Sequence, residues 1–257
     1  MKNLFLYFLL AAALLSAGSC TPIEDKDPEK DKTENGKGEP KVVDIPDEAF
    51  FSYCLEHFDS NKDGQISQSE VASVTTIELN NLSIKSLEGI AHFTALKKLR
   101  CDHNQLTSLD VSKNTALTEL RCANNQLTSL DVSKNTALTS LSCSDNPLTS
   151  IDVSMNTALT ALVCEHNQLT SLDVANNTAL KLLNCYNNQL TSLNVANNTA
   201  LTRLICSSNQ LTSLDVSKNR ALTYLLCSNN SIDKIYVTRG QEIDIEKDDT
   251  AVVVYVD

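Results

Sequence analysis

Apolar residues recur along most of this chain with a period of 21 residues. One unit reads LTELRCANNQLTSLDVSKNTA and runs from Leu117 to Ala137. A period of this length predicts a stack of coils, in which each coil buries its apolar side against its neighbours. Leu120 and Cys122 alternate with polar residues, so each coil is predicted to contribute one or two short parallel strands. Further copies begin at Leu96, Leu138, Leu159, Leu180, Leu201 and, in a degenerate form, Leu222.

The order of apolar residues in the unit resembles the leucine-rich repeat. Leu117, Leu120, Cys122, Asn125 and Leu127 give the pattern L-x-x-L-x-C-x-x-N-x-L, with cysteine in a leucine position. The second half nearly repeats the first, and a unit nested as 10 plus 11 residues resembles the bacterial IRREKO type. The resemblance implies a fold that is α/β by convention: a solenoid of short parallel strands and turns over residues 75–237. We expect the asparagine at the ninth place to turn the chain inward and to bond to the backbone of the next coil.

Seven cysteines mark the sixth place of the coils without a break in the period. Stacked coils place them in one inward column with a spacing of roughly 4.8 Å. Their side chains then point the same way, which disfavours disulfides, so we predict small buried apolar residues. One or two strained disulfides are the alternative. A zinc site is disfavoured because its ligands must converge on one point.

The first residues are typical of an exported lipoprotein. Residues 1–19 contain Lys2, an apolar run and small residues, which predict a secretory signal peptide. The end of this segment, Ala-Gly-Ser before Cys20, resembles a bacterial lipoprotein signal; this implies cleavage before Cys20 and lipidation of its thiol, with simple secretion as the alternative. Residues 20–41 are charged and predict a flexible acidic tether. Acidic residues soon after Cys20 resemble surface-targeting signals, so we expect a lipid anchor at the outer membrane or cell surface of a Gram-negative bacterium.

The twelve residues from Asp59 to Glu70 match the calcium loop of the EF-hand at every diagnostic place. Calcium prefers six to eight oxygen ligands, and Gly64 permits the sharp turn that the loop requires. A solvated polar turn is the alternative, because EF-hands usually pair and this motif is single. The predicted Ca²⁺ ligands are Asp59, Asn61, Asp63, Gln65 through its carbonyl, Ser67 through its hydroxyl or a water, and Glu70.

Two end pieces are predicted to close the array, because an end coil would otherwise expose its apolar side. At the N-terminal end, residues 42–74 combine the calcium loop with a preceding helix, one face of which is lined by Phe51, Leu55 and Phe58. We expect calcium to stabilise this helical, EF-hand-like cap. At the C-terminal end, apolar residues predict the strands of a β cap over residues 238–257.

The repeat allows its outward positions to be compared from coil to coil. The inward places and the second half of the unit hardly change, whereas the third, fifth and seventh places vary. A surface that is needed only for solubility could carry the same polar residue in every coil, so the varied places predict a binding face. The alternative is neutral sequence drift on a surface that tolerates substitution. This face is basic in the early coils and apolar and aromatic in the late ones, which suits an interface. The predicted partner-binding residues are Arg100, Arg121, Val163, Leu182, Tyr186, Ile205, Tyr224 and Leu226.

Composition narrows the function classes. A net charge of −11 argues against nucleic acid as a partner. The four histidines have no nucleophile or metal partners at a fixed spacing, and no phosphate loop or HExxH motif occurs, so we do not expect an enzyme. The sequence predicts a non-catalytic surface lipoprotein that binds a macromolecule, in the first place a protein. A glycan-binding accessory protein is one alternative, and a structural envelope protein whose aspartate column organises cations is another.

Overall fold

The structure is a computed structural model that describes residues 41–257. The predicted signal peptide, the lipidation site Cys20 and the tether up to residue 40 lie outside the described residues. Between residues 41 and 257, no helix has the length and apolar character needed to cross a membrane.

The described chain folds into two short helices, one 3-10 turn and a series of short strands. Most of the strands have three residues and follow the period of the sequence. The helices are α1 (Glu48–Phe58) and α2 (Gln68–Val71), and the 3-10 turn is Ile90–His92. The strands are β1 (Thr76–Glu78), β2 (Lys98–Arg100), β3 (Glu119–Arg121), β4 (Ser140–Ser142), β5 (Ala161–Val163), β6 (Leu182–Asn184), β7 (Arg203–Ile205), β8 (Ser213–Asp215), β9 (Tyr224–Leu226), β10 (Lys234–Thr238), β11 (Asp244–Glu246) and β12 (Val252–Val256).

These strands form two parallel sheets. The larger sheet has nine strands in the order β1-β2-β3-β4-β5-β6-β7-β9-β11, and the smaller sheet has three in the order β8-β10-β12. Neighbouring strands pair place for place: Leu99 of β2 lies opposite Leu120 of β3, which lies opposite Leu141 of β4. The predicted fold class is confirmed: the chain is a parallel solenoid with short helices at its N-terminal end and strands at its C-terminal end.

Early coils contribute one strand each, and their second halves are joined by side chains instead of a strand ladder. Asn135 donates from Nδ2 to the carbonyls of Val111 (3.0 Å) and Asn114 (2.9 Å), which both belong to the preceding coil. The same pair of bonds is repeated by the equivalent asparagine of the next coil, Asn156. Second-half strands occur only toward the C-terminal end, where β8, β10 and β12 pair.

The inward columns form one continuous apolar core. Leu120, Cys122, Leu127 and Val132 are fully buried, as are most of their equivalents in other coils. Full burial of an aliphatic side chain contributes about 1.5–3 kcal/mol, so this core dominates the stability of the array. All cysteines in the described range are buried and free, which confirms the prediction of buried apolar residues; the disulfide alternative is wrong. Burial raises the pKa of the Cys143 thiol to about 12.

The buried asparagine at the ninth place ties each coil to the one before it. In Asn146, Oδ1 accepts from the N–H of Leu127 (2.9 Å) and Nδ2 donates to the carbonyl of Cys122 (3.0 Å), both in the preceding coil. The asparagine was predicted to bond to the next coil, and this prediction is wrong because the bonded coil is the preceding one. The turn also lies one place earlier than predicted, because the eighth residues, such as Asn124 (φ 55°) and Asp145 (φ 52°), have positive φ. Asn and Asp tolerate this left-handed conformation better than most residues.

Helix α1 packs against the core with a broader face than the predicted one. Its buried residues are Phe50 and Cys54, whereas Phe51, Leu55 and Phe58 are only partly buried. The face is broader because residues 50 and 54, at the spacing i, i+4, lie beside residues 51 and 55 on the helix surface. Both sets contact the core, so the helix covers the first coil with a broad apolar surface.

The carboxylate of Asp47 and the close approach of Gly89 hold the N-terminal segment against the first coil. The Asp47 carboxylate caps α1 through two N–H groups of the helix, and its Oδ2 also accepts from the N–H groups of Lys85 (2.8 Å) and Ser86 (3.1 Å). Gly89 (φ 97°) lies so close to the preceding segment that a Cβ atom there would meet the carbonyl oxygen of Asp44 at 2.6 Å. The helix and the coil are therefore joined by direct polar and steric contacts.

The C-terminal end extends both sheets by one strand. β11 pairs with β9 in the larger sheet, and β12 pairs with β10 in the smaller one. The Asp248 carboxylate accepts from the N–H groups of Asn229 (2.9 Å) and Asn230 (3.0 Å), which in earlier coils bond to carbonyls of the following coil. The bond from Asn230, followed by that from Asn229, lowers the pKa of Asp248. A side chain therefore caps the last coil.

Candidate functional site

The third and fifth places form two outward columns on the nine-stranded sheet, because its strands pair in register. Their side chains are half-buried or exposed, whereas the fourth place between them is buried. The third places are, in order, Lys98, Glu119, Ser140, Ala161, Leu182, Arg203 and Tyr224. The fifth places are Arg100, Arg121, Ser142, Val163, Asn184, Ile205 and Leu226.

The seventh places are exposed on this surface in only some coils. Asp102, Ala123, Ser144 and Ser207 are buried, although the first three line a hollow of the outward face. The side chain at this place can bond to the adjacent coil; Oδ1 of Asp102, for example, accepts from the N–H of Ala123 (2.9 Å). Tyr186 remains half-buried and keeps part of its ring at the surface.

In the early coils, the cations of the face are paired with carboxylates. The Nη1 atom of Arg100 lies 2.9 Å from Oε1 of Glu78, and its Nε lies 2.8 Å from Oε1 of Glu119. The Nε atom of Arg121 lies 3.0 Å from Oδ2 of Asp102. The predicted basic end is therefore a charge-balanced network. Sequence reasoning missed these pairs because the partners are one coil apart and meet only through the register of the strands.

The late coils present two tyrosines whose side chains are held by neighbours. The hydroxyl of Tyr224 donates to Oε1 of Glu246 (2.8 Å), and the guanidinium carbon of Arg203 lies 4.5 Å from the centroid of its ring. The hydrogen bond to Glu246 raises the pKa of Tyr224. Tyr186 packs edge-on against His166, with 5.0 Å between the ring centroids. Aromatic side chains held in this way lose little rotamer freedom on binding, which suits them to anchor an interface.

Aliphatic side chains surround the tyrosines. Val163, Leu182, Ile205 and Leu226 belong to β5, β6, β7 and β9, which are consecutive strands of the larger sheet. Each is half-buried, so part of its apolar surface remains in contact with water. Six of the eight predicted partner-binding residues therefore share one region, whereas the two predicted arginines lie in the ion-pair network on β2 and β3.

The predicted calcium loop joins α1 to α2, and its oxygen donors lie around the same backbone segment. Oδ1 of Asp59 and Oδ1 of Asn61 both accept from the N–H of Asp63 (3.2 and 2.8 Å). Oε1 of Glu70 reaches across the loop to accept from the N–H of Ser60 (2.9 Å). The carboxylate and amide oxygens expected to bind calcium are therefore close neighbours.

The chemistry of this donor set fits a calcium ion. Gly64 makes the sharp turn with φ 77°, and the exposed Gln65 donates its N–H to Oδ1 of Asp63 (2.8 Å). The Glu70 carboxylate also caps α2; the bond from the N–H of Ser67 (2.9 Å) contributes most to lowering the pKa of Glu70 to about 2. In residues 41–257, no three His, Cys, Asp or Glu side chains already converge as a metal-binding group. The Glu70 carboxylate spans the loop and the helix cap, with Oε1 at the N–H of Ser60 and Oε2 at the N–H of Ser67.

Residues before α1 pair with the end of the predicted calcium loop. The N–H of Val43 donates to the carbonyl of Ile66 (2.7 Å), and the N–H of Gln68 donates to the carbonyl of Lys41 (2.8 Å). Val42 and Ser67 form the antiparallel bridge between the two segments. No pattern in the sequence predicts this contact.

The repeat array matches known leucine-rich-repeat proteins. The family model described as Leucine Rich repeats (2 copies) matches residues 115–154. Internalin J of Listeria monocytogenes serotype 4b is 45% identical over 70 residues, which are 27% of this chain but only 8% of internalin J. A solved domain of that internalin, described as including a cysteine ladder, has 30% identity and a TM-score of 0.44 and covers 83% of this chain and 62% of that one. Internalin C2 of the same species has 22% identity and a TM-score of 0.69, covering 84% of this chain and 97% of that one.

The parallel solenoid with its leucine and asparagine columns has the leucine-rich-repeat fold, and the family model matches two of its repeats. Over 70 residues its sequence is similar to internalin J, and its fold is similar to that of internalin C2. Stacked coils of this kind form an extended surface.

Proposed function

We propose that the outward face of the nine-stranded sheet binds a protein partner and that the protein acts by recognition, without catalysis. The observation that carries the proposal is the concentration of sequence change in the outward columns of the strands, while the inward columns of the same strands repeat. Selection for stacking alone explains the inward columns. A partner that reads different side chains from different coils explains the outward ones.

The centre of this contact is the late part of the face, from β5 to β9. Tyr186 and Tyr224 are pre-positioned aromatic anchors, and truncation of such anchors commonly costs more than about 2 kcal/mol of binding free energy. The ion-paired Arg100 and Arg121 contribute less, because exposed pairs are worth about 0–1 kcal/mol and a partner must compete with their carboxylates.

The test compares matched variants of the full chain for binding to extracellular proteins. A triple variant, Tyr186→Ala with Ile205→Ala and Tyr224→Ala, is expected to lose at least about tenfold in affinity. Its control replaces three exposed threonines in the second halves of the coils, and is expected to bind as the wild type does; these are Thr128, Thr149 and Thr170. Undiminished binding by the triple variant would exclude the face. Capture of glycans from a panel, without any protein ligand, favours the glycan-binding alternative.

We further propose that Ca²⁺ binds the loop from Asp59 to Glu70 and stabilises the N-terminal end of the array. The bound ion would compensate the charge of the loop carboxylates and draw them together. Because Asp47 and Val43 connect this module to the first coil and to the loop, ordering the loop raises the stability of the whole end. In calorimetric titrations, Asp59→Ala and Glu70→Ala are expected to lose calcium binding, whereas Glu56→Gln on the exposed side of α1 retains it. Calcium uptake that is unchanged in both loop variants refutes the site.

The proposed place of action is the outer membrane or cell surface of a Gram-negative bacterium, through lipid on Cys20. The Ala-Gly-Ser-Cys sequence and the acidic residues behind it support this proposal. Metabolic labelling with palmitate is expected to mark the wild type but not Cys20→Ala, and protease added to intact cells is expected to remove the anchored protein. An unlabelled wild-type protein that is released into the medium contradicts the proposal.

A further inference from the structure

A hollow lies in the outward face where the outward side chains are small. Ser140 and Ser142 occupy both outward places of β4, and Ala161 occupies the third place on β5. Larger side chains, Arg121 on β3 and Leu182 on β6, stand on either side. The hollow has a volume of about 460 Å³, and its place on the sheet puts it between the ion-pair network and the apolar part of the face. It is therefore the natural point of entry for a long side chain of a bound protein.

Ser144 gives the hollow an unused hydrogen-bonding group. The residue lines the hollow, only 3% of its surface is exposed, and its Oγ has no hydrogen-bond partner among residues 41–257. A buried hydroxyl without a partner costs free energy, so a ligand that supplies one recovers that cost on binding. The position calls for a polar group, and most simply for an N–H donor.

The charge around the hollow is negative. Four carboxylates line it, against one guanidinium and one imidazole, and two of these carboxylates belong to the ion-pair network described above. The other two, Asp145 and Glu165, have no cationic partner within the described part of the chain. Glu165 accepts from the side-chain amide of Asn184, and Asp145 lies 3.5 Å from that of Asn124. Both carboxylates can therefore accept a cation from a ligand.

We propose that the hollow receives a lysine or arginine side chain of the protein partner. Its charged end is neutralised by Asp145 and Glu165 and donates to Oγ of Ser144. Its methylene groups pack against Val163 and Leu182, as long cationic side chains do at apolar surfaces. This inference rests on the proposed function, and it adds the chemistry of one contact: a basic side chain that enters beside the tyrosine anchors.

The test is an NMR titration of the full chain with blocked single amino acids. N-acetyl-arginine methylamide and N-acetyl-lysine methylamide are the cationic probes, and N-acetyl-citrulline methylamide is the neutral probe of arginine shape. The cationic probes are expected to shift the amide signals of Ser142, Ser144 and Glu165 to saturation, with citrulline at least about tenfold weaker. The tighter of the two cationic probes identifies the preferred side chain.

Matched variants separate charge from shape. Asp145→Asn combined with Glu165→Gln is expected to weaken binding of the cationic probes by about tenfold or more. Asp131→Asn combined with Asp152→Asn makes the same change of charge in the second halves of two coils and is expected to leave binding unchanged. Ser142→Leu fills the hollow and is expected to abolish the shifts; the fold accepts leucine at this place, as Leu226 shows.

Two results overturn the proposal: equal shifts with citrulline, or no shifts with either cationic probe. Its failure can be told from failure of the proposed function. If the tyrosine triple variant keeps full partner binding while the cationic probes still bind the wild type, the proposed late face is wrong and the hollow stands. If partner binding is lost in that variant but no probe binds, the face stands and the hollow is wrong.

Discussion

Two buried asparagines of one coil, Asn146 and Asn156, are predicted to contribute differently to the free energy of unfolding. The less deeply buried of the two is expected to contribute more. Asn146 is 5% exposed and Asn156 is fully buried. The N–H of Leu127 has Oδ1 of Asn146 as its acceptor, whereas Oδ1 of Asn156 has no partner. The amide of Asn156 donates to the carbonyls of Val132 and Asn135, and both carbonyls also accept from backbone N–H groups.

The expected magnitudes follow from these partners. Replacement by alanine removes the same atoms at both positions, so the cavity cost is similar. At Asn146 the substitution also leaves a buried N–H without an acceptor, which costs about 1–3 kcal/mol in addition to the amide bonds that are lost. We expect Asn146→Ala to lower the free energy of unfolding by about 3–4 kcal/mol and Asn156→Ala by about 1–2 kcal/mol.

Urea unfolding followed by circular dichroism measures the difference. Asn197→Ala is the control, because Asn197 is exposed and other coils carry lysine or methionine at its place; its effect is expected to be within about 0.5 kcal/mol. Hydrogen exchange gives a second readout, since the Leu127 amide is expected to exchange faster in Asn146→Ala only. An equal or greater loss of stability in Asn156→Ala would show that burial, and not the unpaired N–H, sets the cost.

Other contacts give further expectations. Gly89→Ala is expected to lower the free energy of unfolding by about 2 kcal/mol more than Gly240→Ala, because both glycines have positive φ but a Cβ atom finds only open space at Gly240; equal losses in calorimetry contradict this. Ellman's reagent is expected to leave the buried thiols unmodified in the native protein and to react with them after unfolding in guanidinium; fast native reaction contradicts their burial. Burial raises the pKa of Cys185 from 9.0 to about 12, so the folded state retains protons that the unfolded state releases. The contribution of this thiol to the free energy of unfolding is therefore fully present below pH 9. It falls between pH 9 and 12 by up to about 1.4 kcal/mol per thiol and pH unit. A urea midpoint that is constant across this range contradicts the linkage.

Periodic features of the fold could be predicted from the sequence because each coil uses the same inward positions. The column of Leu120, Cys122 and Val132 follows directly from alternation and repetition, and its burial is as expected. The outward places of the strands follow from the same alternation. The β cap also follows, since the last apolar residues continue the pattern of the strands before them.

Features that depend on contacts between coils could not be predicted in this way. The partners of Arg100 are Glu78 and Glu119, at separations of 22 and 19 residues, and only the register of three strands brings them together. The direction of the ninth-place asparagine bonds is likewise a property of the stack. The bridge between Val42 and Ser67 joins a short segment with no periodicity to the loop, so no local signal marks it.

The identical register of Leu99, Leu120 and Leu141 has a consequence for how such a chain can evolve. Duplication or loss of one 21-residue unit leaves the contacts at both ends unchanged, because every junction between units is equivalent. The length of the sheet then changes in steps of roughly 4.8 Å, one strand at a time. Recombination can therefore lengthen or shorten the surface that is available to a ligand, and mutation can then change the new outward residues. The packing of the coils and of the two end pieces is not altered.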